Sequence, residues 1–168
     1  MLIRSVLFDP TVHDAGNFDC GVHDYNEWLR RSAANERSRG SANTFVWISQ
    51  DRVGGYYTLT AHVLIKDDLP ASIARGGPEF IPCTLLGKLA LDVSLQGEGG
   101  GAQLLLDALA RAVQAANEVA AKLVVLDADN GLVDFYRKYG FELIQNSNRR
   151  MFIKLSSVRK SIEHLDTL

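Results

Sequence analysis

Apolar positions along this 168-residue chain change period several times, and each change marks an element. SVLFDP reads as a short strand ending at Pro10. FDCGVHDYNEWLRRSAANERSRG opens with turn residues and then turns helical, with Tyr25, Trp28, Leu29 and Ala33 at helical spacing and Gly40 as its stop. TFVWIS (Thr44–Ser49) and GYYTLTAHVLI (Gly55–Ile65) are β-rich, and the polar turn Gln50–Gly54 joins them as a strand pair. KDDLPASIARGGPEFIPC is a loop with one helical turn around Ser72–Ala74. Leu85–Leu95 predicts a strand, Leu104–Ala121 a helix, and Lys122–Ala128 a buried strand with a near-continuous apolar run. Leu132–Tyr139 reads as a short helix closed by Gly140, and Met151–Val158 as a final strand. The C-terminal RKSIEHLDTL fits a helix or a frayed tail.

Composition adds limits. The length suits one domain over residues 1–168, and 46% hydrophobic with 23% charged residues is ordinary for a globular chain. No apolar run approaches a membrane span, and the early charge in MLIRSVLFDP argues against a secretory signal. Cys20 and Cys83 lie far apart without zinc spacing, so they read as reduced thiols in a cytoplasmic protein, and no metal is expected. The net charge of −2 makes the chain as a whole no basic nucleic-acid binder. The charge is uneven, however: Arg30, Arg31, Arg37 and Arg39 cluster against Glu36.

The densest chemistry lies in LQGEGGGAQLLLDALARAV, where a strand candidate runs into Gly97, Gly99, Gly100 and Gly101 and then a helix. A helix start leaves N–H groups unpaired and carries partial positive charge, and glycines let backbone approach an anion closely. A phosphate cradle is one reading; a flexible strand–helix turn is the other. No Lys-Ser/Thr follows, which excludes the P-loop, and the position in the second half of the chain does not suit a dinucleotide fingerprint.

Gln96-x-x-Gly99-x-Gly101 resembles the pyrophosphate loop of the GCN5-related N-acetyltransferases, and DFYRKYGF (Asp134–Phe141) resembles that family's downstream FYxxxGF signature. FDCGVHDYNEWLRRSAAN, GGYYTLT and IPCTLLGKLALD are further similar to the acetyltransferase toxins of type II toxin–antitoxin systems, so the likeness runs from about Phe18 to Phe152. Two positions depart from it: Lys88 stands where such toxins commonly carry arginine, and Asp129 where many members carry asparagine, with Asn130 one place off.

The resemblance implies an α/β fold with a mixed, mainly antiparallel sheet, splayed at the acetyl-CoA site and flanked by helices. It implies acetyl transfer from acetyl-CoA to the α-amine of an aminoacyl-tRNA, a block of translation, a ribbon-helix-helix antitoxin and a homodimer. The alternative within the family is a non-toxin enzyme acting on a small amine or a protein N-terminus. By motif match, backbone groups of Leu89, Ala90 and Leu91 hold the acyl arm, and Gln96, Gly97, Glu98, Gly99, Gly100 and Gly101 hold the pyrophosphate, with Asn130 also on the acetyl-CoA side. Tyr136 is the implied general acid, acting as a donor to the leaving thiolate, or else a packed aromatic beside Phe135, and Phe135, Tyr139 and Phe141 read as core or wall. Arg30, Arg31, Arg37, Arg39 and Lys88 are candidate RNA contacts or a solvated charged face; Arg75, Arg149 and Arg150 are weaker candidates. An aminoacyl ester's amine has a pKa below the usual 7.7–8.0 and needs little help from a base. His23 and His62 are the histidines that would serve as one, or they are solvated or structural.

Overall fold

The computed structural model describes residues 3–167; Met1, Leu2 and Leu168, the last residue of the C-terminal segment, lie outside the described residues. The elements in order are β1 (Val6–Leu7), α1 (His23–Arg31), α2 (Ala33–Ser38), β2 (Asn43–Ser49), β3 (Arg52–Ile65), α3 (Ala71–Ala74), β4 (Phe80–Leu91), α4 (Gly100–Glu118), β5 (Leu123–Asp127), α5 (Val133–Arg137), β6 (Glu142–Leu143), β7 (Arg150–Lys154) and α6 (Leu155–Asp166). The strands form a seven-stranded sheet in the order β1-β2-β3-β4-β5-β7-β6. β1/β2, β2/β3, β5/β7 and β6/β7 pair antiparallel, and β4/β5 pair parallel. The expected mixed, mainly antiparallel α/β architecture is therefore present. No helix among the described residues is long and apolar enough to cross a membrane.

The described residues divide into two compact units: those up to Thr60 with Leu86–Ala108, and Ala61–Leu85 with those from Leu109 onward. In the first, Gln50 and Asp51 both take positive φ (50° and 63°), the geometry of a tight two-residue hairpin turn, so β3 resumes at Arg52. The register then slips: Trp47 faces Gly55 while Ile48 faces Val53, leaving Gly54 as the extra residue of a bulge. A Cβ at Gly54 would stand 2.7 Å from Leu95 Cδ1 and 3.1 Å from Ser49 Cβ, so a side chain there would force its neighbours to shift. The core of this unit gathers Phe8, Phe18, Leu29, Val46, Tyr56 and Ala90, with Trp28 packed against it.

The single helix expected from Tyr25 to Gly40 is two, broken at Ser32 (φ −112°), although Gly40 ends the second as expected. Ser41 N–H donates to Glu36 O and Gly40 N–H to Arg37 O, with Gly40 at φ 72°, a helix end that glycine makes easy. The second unit repeats the device. Phe141 N–H donates to Tyr136 O and Gly140 N–H to Arg137 O, with Gly140 at φ 93°, which bears out Gly140 as the stop of α5.

Leu64, Ile73, Ile81, Cys83, Leu123, Val125 and Phe152 form the second unit's apolar cluster. Two strands end earlier than their apolar patterns suggest. β4 starts at Phe80 and stops at Leu91, with Val93–Leu95 a 3-10 turn, and β7 stops at Lys154, where α6 begins. Short apolar runs do not distinguish a strand end from a helical turn. α4 starts inside the glycine run rather than after it, and Leu104, Leu105, Ala108, Leu109 and Ala112 form its buried stripe.

Candidate active site

The glycine loop is shaped by residues on both sides of it. The Thr58 hydroxyl accepts the Lys88 N–H at 3.0 Å, and a Cβ at Gly87 would stand 2.6 Å from that oxygen. β4 runs past this point through Leu89, Ala90 and Leu91, the last two buried. Its parallel register with β5 extends from Cys83↔Leu123 to Leu85↔Val125, so β4 continues well beyond that ladder. At the bulge, Gly54 O accepts the Asp92 N–H at 2.8 Å, which fixes where the strand ends.

Asp92 then builds the turn. Its carboxylate accepts from Ser94 N–H (3.0 Å), Ser94 Oγ (2.6 Å) and Asp19 N–H (3.1 Å). Burial pushes its acidity weaker, but these hydrogen bonds outweigh burial and hold the carboxyl below its ordinary range. The Gln96 side chain continues the brace, with Nε2 donating to Leu91 O at 2.8 Å and to Cys20 O at 3.1 Å. Its backbone N–H donates to Val93 O at 3.4 Å, so the residue braces the loop from inside.

Beyond Gln96 the loop opens. Gly97 and Gly99 take φ of 87° and 84°, and a Cβ at either would meet nothing within 4 Å. Gln103 N–H makes a bond to Gly99 O (3.2 Å), so the N–H groups of Gly100, Gly101 and Ala102 precede the helix ladder. Gly100 is needed for a different reason: a Cβ there would stand 3.0 Å from Leu91 Cδ2 and 3.2 Å from Leu95 O. Open space over left-handed glycines, at the N-terminus of a 19-residue helix, fits an anion such as a pyrophosphate.

Asp92 and the Gln96 side chain were missed as loop braces. The Asp92-x-Ser94 spacing of a side-chain turn is the signal for the first; nothing local marks the second. Asp92→Ala removes three hydrogen bonds and leaves the Asp19 amide without this partner. The expected loss is about 2 kcal/mol, or roughly 5 °C in melting temperature, together with a raised KM for acetyl-CoA. Calorimetry and initial rates check the pair.

The second unit carries the tyrosine. Gly131 (φ 82°) turns the chain after β5, and Leu132 N–H closes the turn on Asp129 O at 2.9 Å. Tyr136 on α5 is only 6% exposed, edge-on to Phe135 (5.1 Å) and Phe141 (5.7 Å). Burial, and then the charge of Asp129, push its hydroxyl up to about 12. It is thus protonated, and a donor, at any physiological pH. Asn130 is exposed.

The candidate cations differ in state. Arg30 and Arg31 share Glu27 (3.0 and 2.7 Å), and Arg30 also donates to Phe18 O. Arg39 lies 3.9 Å from Glu36, and Arg37 and Arg75 are exposed. Lys88 Nζ sits 4.3 Å from the centre of the Trp28 ring, itself stacked on Tyr56. Burial lowers its pKa, and Glu36 partly restores it. Arg149 is exposed, while Arg150 grips Asp127 through Nε and Nη2, both at 2.9 Å.

That fork holds the Asp127 carboxyl below its ordinary range, first through the hydrogen bonds and against the effect of burial. A carboxyl depressed by folding stabilises above its unfolded pKa of about 3.9 and loses that contribution as pH falls through the folded value. The melting-temperature gap between wild type and Asp127→Asn is therefore expected to be largest above about pH 5 and to close on acidification. Thermal melts across that range check it.

A strand end, a left-handed glycine cradle opening a long helix, and a buried tyrosine on a later short helix define an acetyltransferase class. The chain belongs to the acetyltransferase (GNAT) domain family, whose sequence model matches residues 25–162. It is similar to a tRNA-acetylating toxin of Mycobacterium tuberculosis, 29% identical over 150 residues, which cover 89% of this chain and 90% of that protein. Among solved structures it resembles AtaT complexed with acetyl-methionyl-tRNAfMet, with a TM-score of 0.86 and 26% identity over 95% of this chain and 99% of that one. A mutant of AtaT bound to the C-terminus of the antitoxin AtaR superposes with a TM-score of 0.80 at 24% identity, over 95% and 96% of the two chains.

Proposed function

We propose that this chain is a single acetyltransferase domain that moves the acetyl group of acetyl-CoA onto the α-amine of an aminoacyl-tRNA and so stops translation. The observation that carries the acetyl-CoA half is the open cradle at Gly97 and Gly99. The likeness to a tRNA-acetylating toxin along nearly nine-tenths of the chain supports the acceptor.

The donor's pyrophosphate takes the N–H groups from Gly97 to Ala102, with Gln96 and Asp92 holding the loop. The acyl arm lies along the backbone of Leu89, Ala90 and Leu91, with Asn130 also on the acetyl-CoA side. A neutral amine attacks the thioester carbonyl carbon, the C–N bond forms, the C–S bond breaks, and one amine proton ends on sulfur. Tyr136 donates a hydrogen bond to that sulfur. Transfer of its proton from a pKa of about 12 to a thiolate near 8.5 is uphill, so it serves as a donor that is never left ionised.

The arginines of α1 and α2 and Lys88 are the proposed RNA contacts, with Arg30 and Arg31 acting as a net single charge around Glu27. A second copy of the chain and a ribbon-helix-helix antitoxin, both implied by the family resemblance, complete the system in the cytoplasm. Cell-free translation tests the toxin reading. Synthesis stops when protein and acetyl-CoA are added together and continues with either alone. Continued synthesis with both removes the toxin and leaves an acetyltransferase of another amine.

A further inference from the structure

β3 outruns the strand beside it. β2 pairs with it only as far as Asn43↔Leu59, while β3 continues to Ile65 and then leaves the sheet in a 3-10 turn, Lys66–Asp68. The sheet order gives β3 two neighbours, β2 and β4, so beyond Leu59 one side of it has no strand among the described residues. Lys66 N–H donates to Glu79 O at 2.9 Å, which sets Ile65 beside Phe80, the first residue of β4, and Val63 beside Pro82. Backbone groups alternate sides along a strand. Lys66, Leu64 and His62 therefore turn theirs to β4, and Ala61, Val63 and Ile65 turn theirs to the open side, spaced evenly about Val63.

Sheets commonly guard such an edge with a charge, a proline or a bulge. Residues 53–65 carry no Asp, Glu, Lys, Arg or Pro, and the bulge at Gly54 lies ahead of the free run. Side chains alternate as well. Leu64 is buried in the second unit's apolar cluster, so Ala61, Val63 and Ile65 stand on the other face. There Val63 and Ile65 are 54% and 47% exposed, and Phe80 beside them is 57% exposed. Ala61 and Pro82 are exposed too. An uncharged open edge bordered by exposed apolar side chains marks a surface that another strand covers.

We propose that a second copy of this chain covers it, by antiparallel pairing of the same segment about a two-fold axis at Val63. The symmetry of the free run selects this occupant. Val63 meets the partner's Val63, and Ala61 meets the partner's Ile65, each as a hydrogen-bonded pair. About six backbone bonds result, and they use every outward N–H and C=O of the run. The run has no charge with which to select a charged segment of another protein. Val63, Ile65 and Phe80 of each copy then form one apolar strip across the join. All of these residues lie in the second unit. The existence of a second copy rests on the reading proposed above; the place where it meets the first comes from the open edge.

Sedimentation velocity on the full chain, at micromolar and at near-millimolar concentration, measures the pairing. Wild type is expected to sediment as a dimer at the higher concentration. Val63→Pro removes an N–H that points away from β4, so the ladder inside the chain stays whole. Val63→Lys sets two ammonium groups face to face at the axis. Each should raise the dimer dissociation constant about tenfold or more. Val119→Lys, at a residue 77% exposed just after α4, is the control and keeps the dimer. Val63→Cys reads the register. Across the axis the two Cα atoms lie about 5.5 Å apart, within disulfide reach, so mild oxidation gives a covalent dimer. Ala61→Cys, whose mate lies roughly 13 Å further along the strand, gives none. Wild type, with Cys20 half-exposed and Cys83 buried, is oxidised alongside as the blank. The cysteine variants serve if Val63→Pro fails to fold. A dimer that keeps its strength in both Val63→Pro and Val63→Lys, or Ala61→Cys crosslinking as readily as Val63→Cys, overturns the edge and seats the second copy elsewhere. A chain that stays monomeric at every concentration overturns the second copy and the edge together.

Discussion

Tyr136→Phe is expected to lose acetyl transfer by about 10²-fold or more in kcat while keeping its fold and its affinity for acetyl-CoA. The ring is wedged edge-on between Phe135 and Phe141 and is 6% exposed, so a phenylalanine fills the same volume. Only the hydroxyl goes, and with it the proposed donor to the thiolate. Because burial holds the hydroxyl near 12, it stays protonated throughout the working range, and wild type shows no alkaline loss of rate from this group below about pH 10. Single-turnover rates at saturating acetyl-CoA, paired with a thermal melt, separate chemistry from folding. An unchanged rate with an intact melt would remove Tyr136 from the reaction.

The second large effect is expected at Gly99. Its φ of 84° lies in the region that costs an L-residue roughly 1–2 kcal/mol, and the space beside it is open. Gly99→Val would reshape the cradle and place two methyl groups in the space proposed for the pyrophosphate. KM for acetyl-CoA should rise at least tenfold, with a smaller change in kcat. Gly76→Val provides the control, because Gly76 also has a positive φ (72°) and open space but lies outside the cradle. It should share the strain and keep the KM. Equal KM values in the two variants would mean that the glycine loop does not hold the donor.

Elements whose ends are dictated by local backbone chemistry were legible in the sequence. Gly140 closing α5 and Gly40 closing α2 both follow from glycines that take positive φ at little cost; a polar turn between β2 and β3 was also legible, but it was expected over Gln50–Gly54 and β3 already resumes at Arg52. The glycine loop and Tyr136 were legible for the same reason: they lie within short contiguous motifs. Features set by contacts distant in sequence were not. The end of β4 at Leu91 depends on a carbonyl presented by the bulge at Gly54, 38 residues earlier in the chain. Gln96 looked like a backbone donor, yet its side chain ties Leu91 to Cys20, 76 residues away in sequence. The arginine cluster read as opposed by Glu36 alone, whereas Glu27 engages two of its four members. Arg150 read as a weaker candidate for an RNA contact, and only the β5/β7 register brings it onto Asp127.

Lys88 shows how a substitution against a family pattern is read physically. An arginine fork at that position would span two acceptors, whereas the lysine rests its ammonium on Trp28. Its half-buried position leaves the charge less available to a phosphate than the exposed Arg37.

The most direct measurement is the fate of labelled acetyl groups. Purified protein is mixed with labelled acetyl-CoA and, in parallel, with total charged tRNA, uncharged tRNA, and a panel of polyamines and peptides. The account predicts label in charged tRNA alone, released as an N-acetylated amino acid on mild alkaline hydrolysis of the ester. Label that enters only small amines or peptides, with charged tRNA left unmodified, would contradict it.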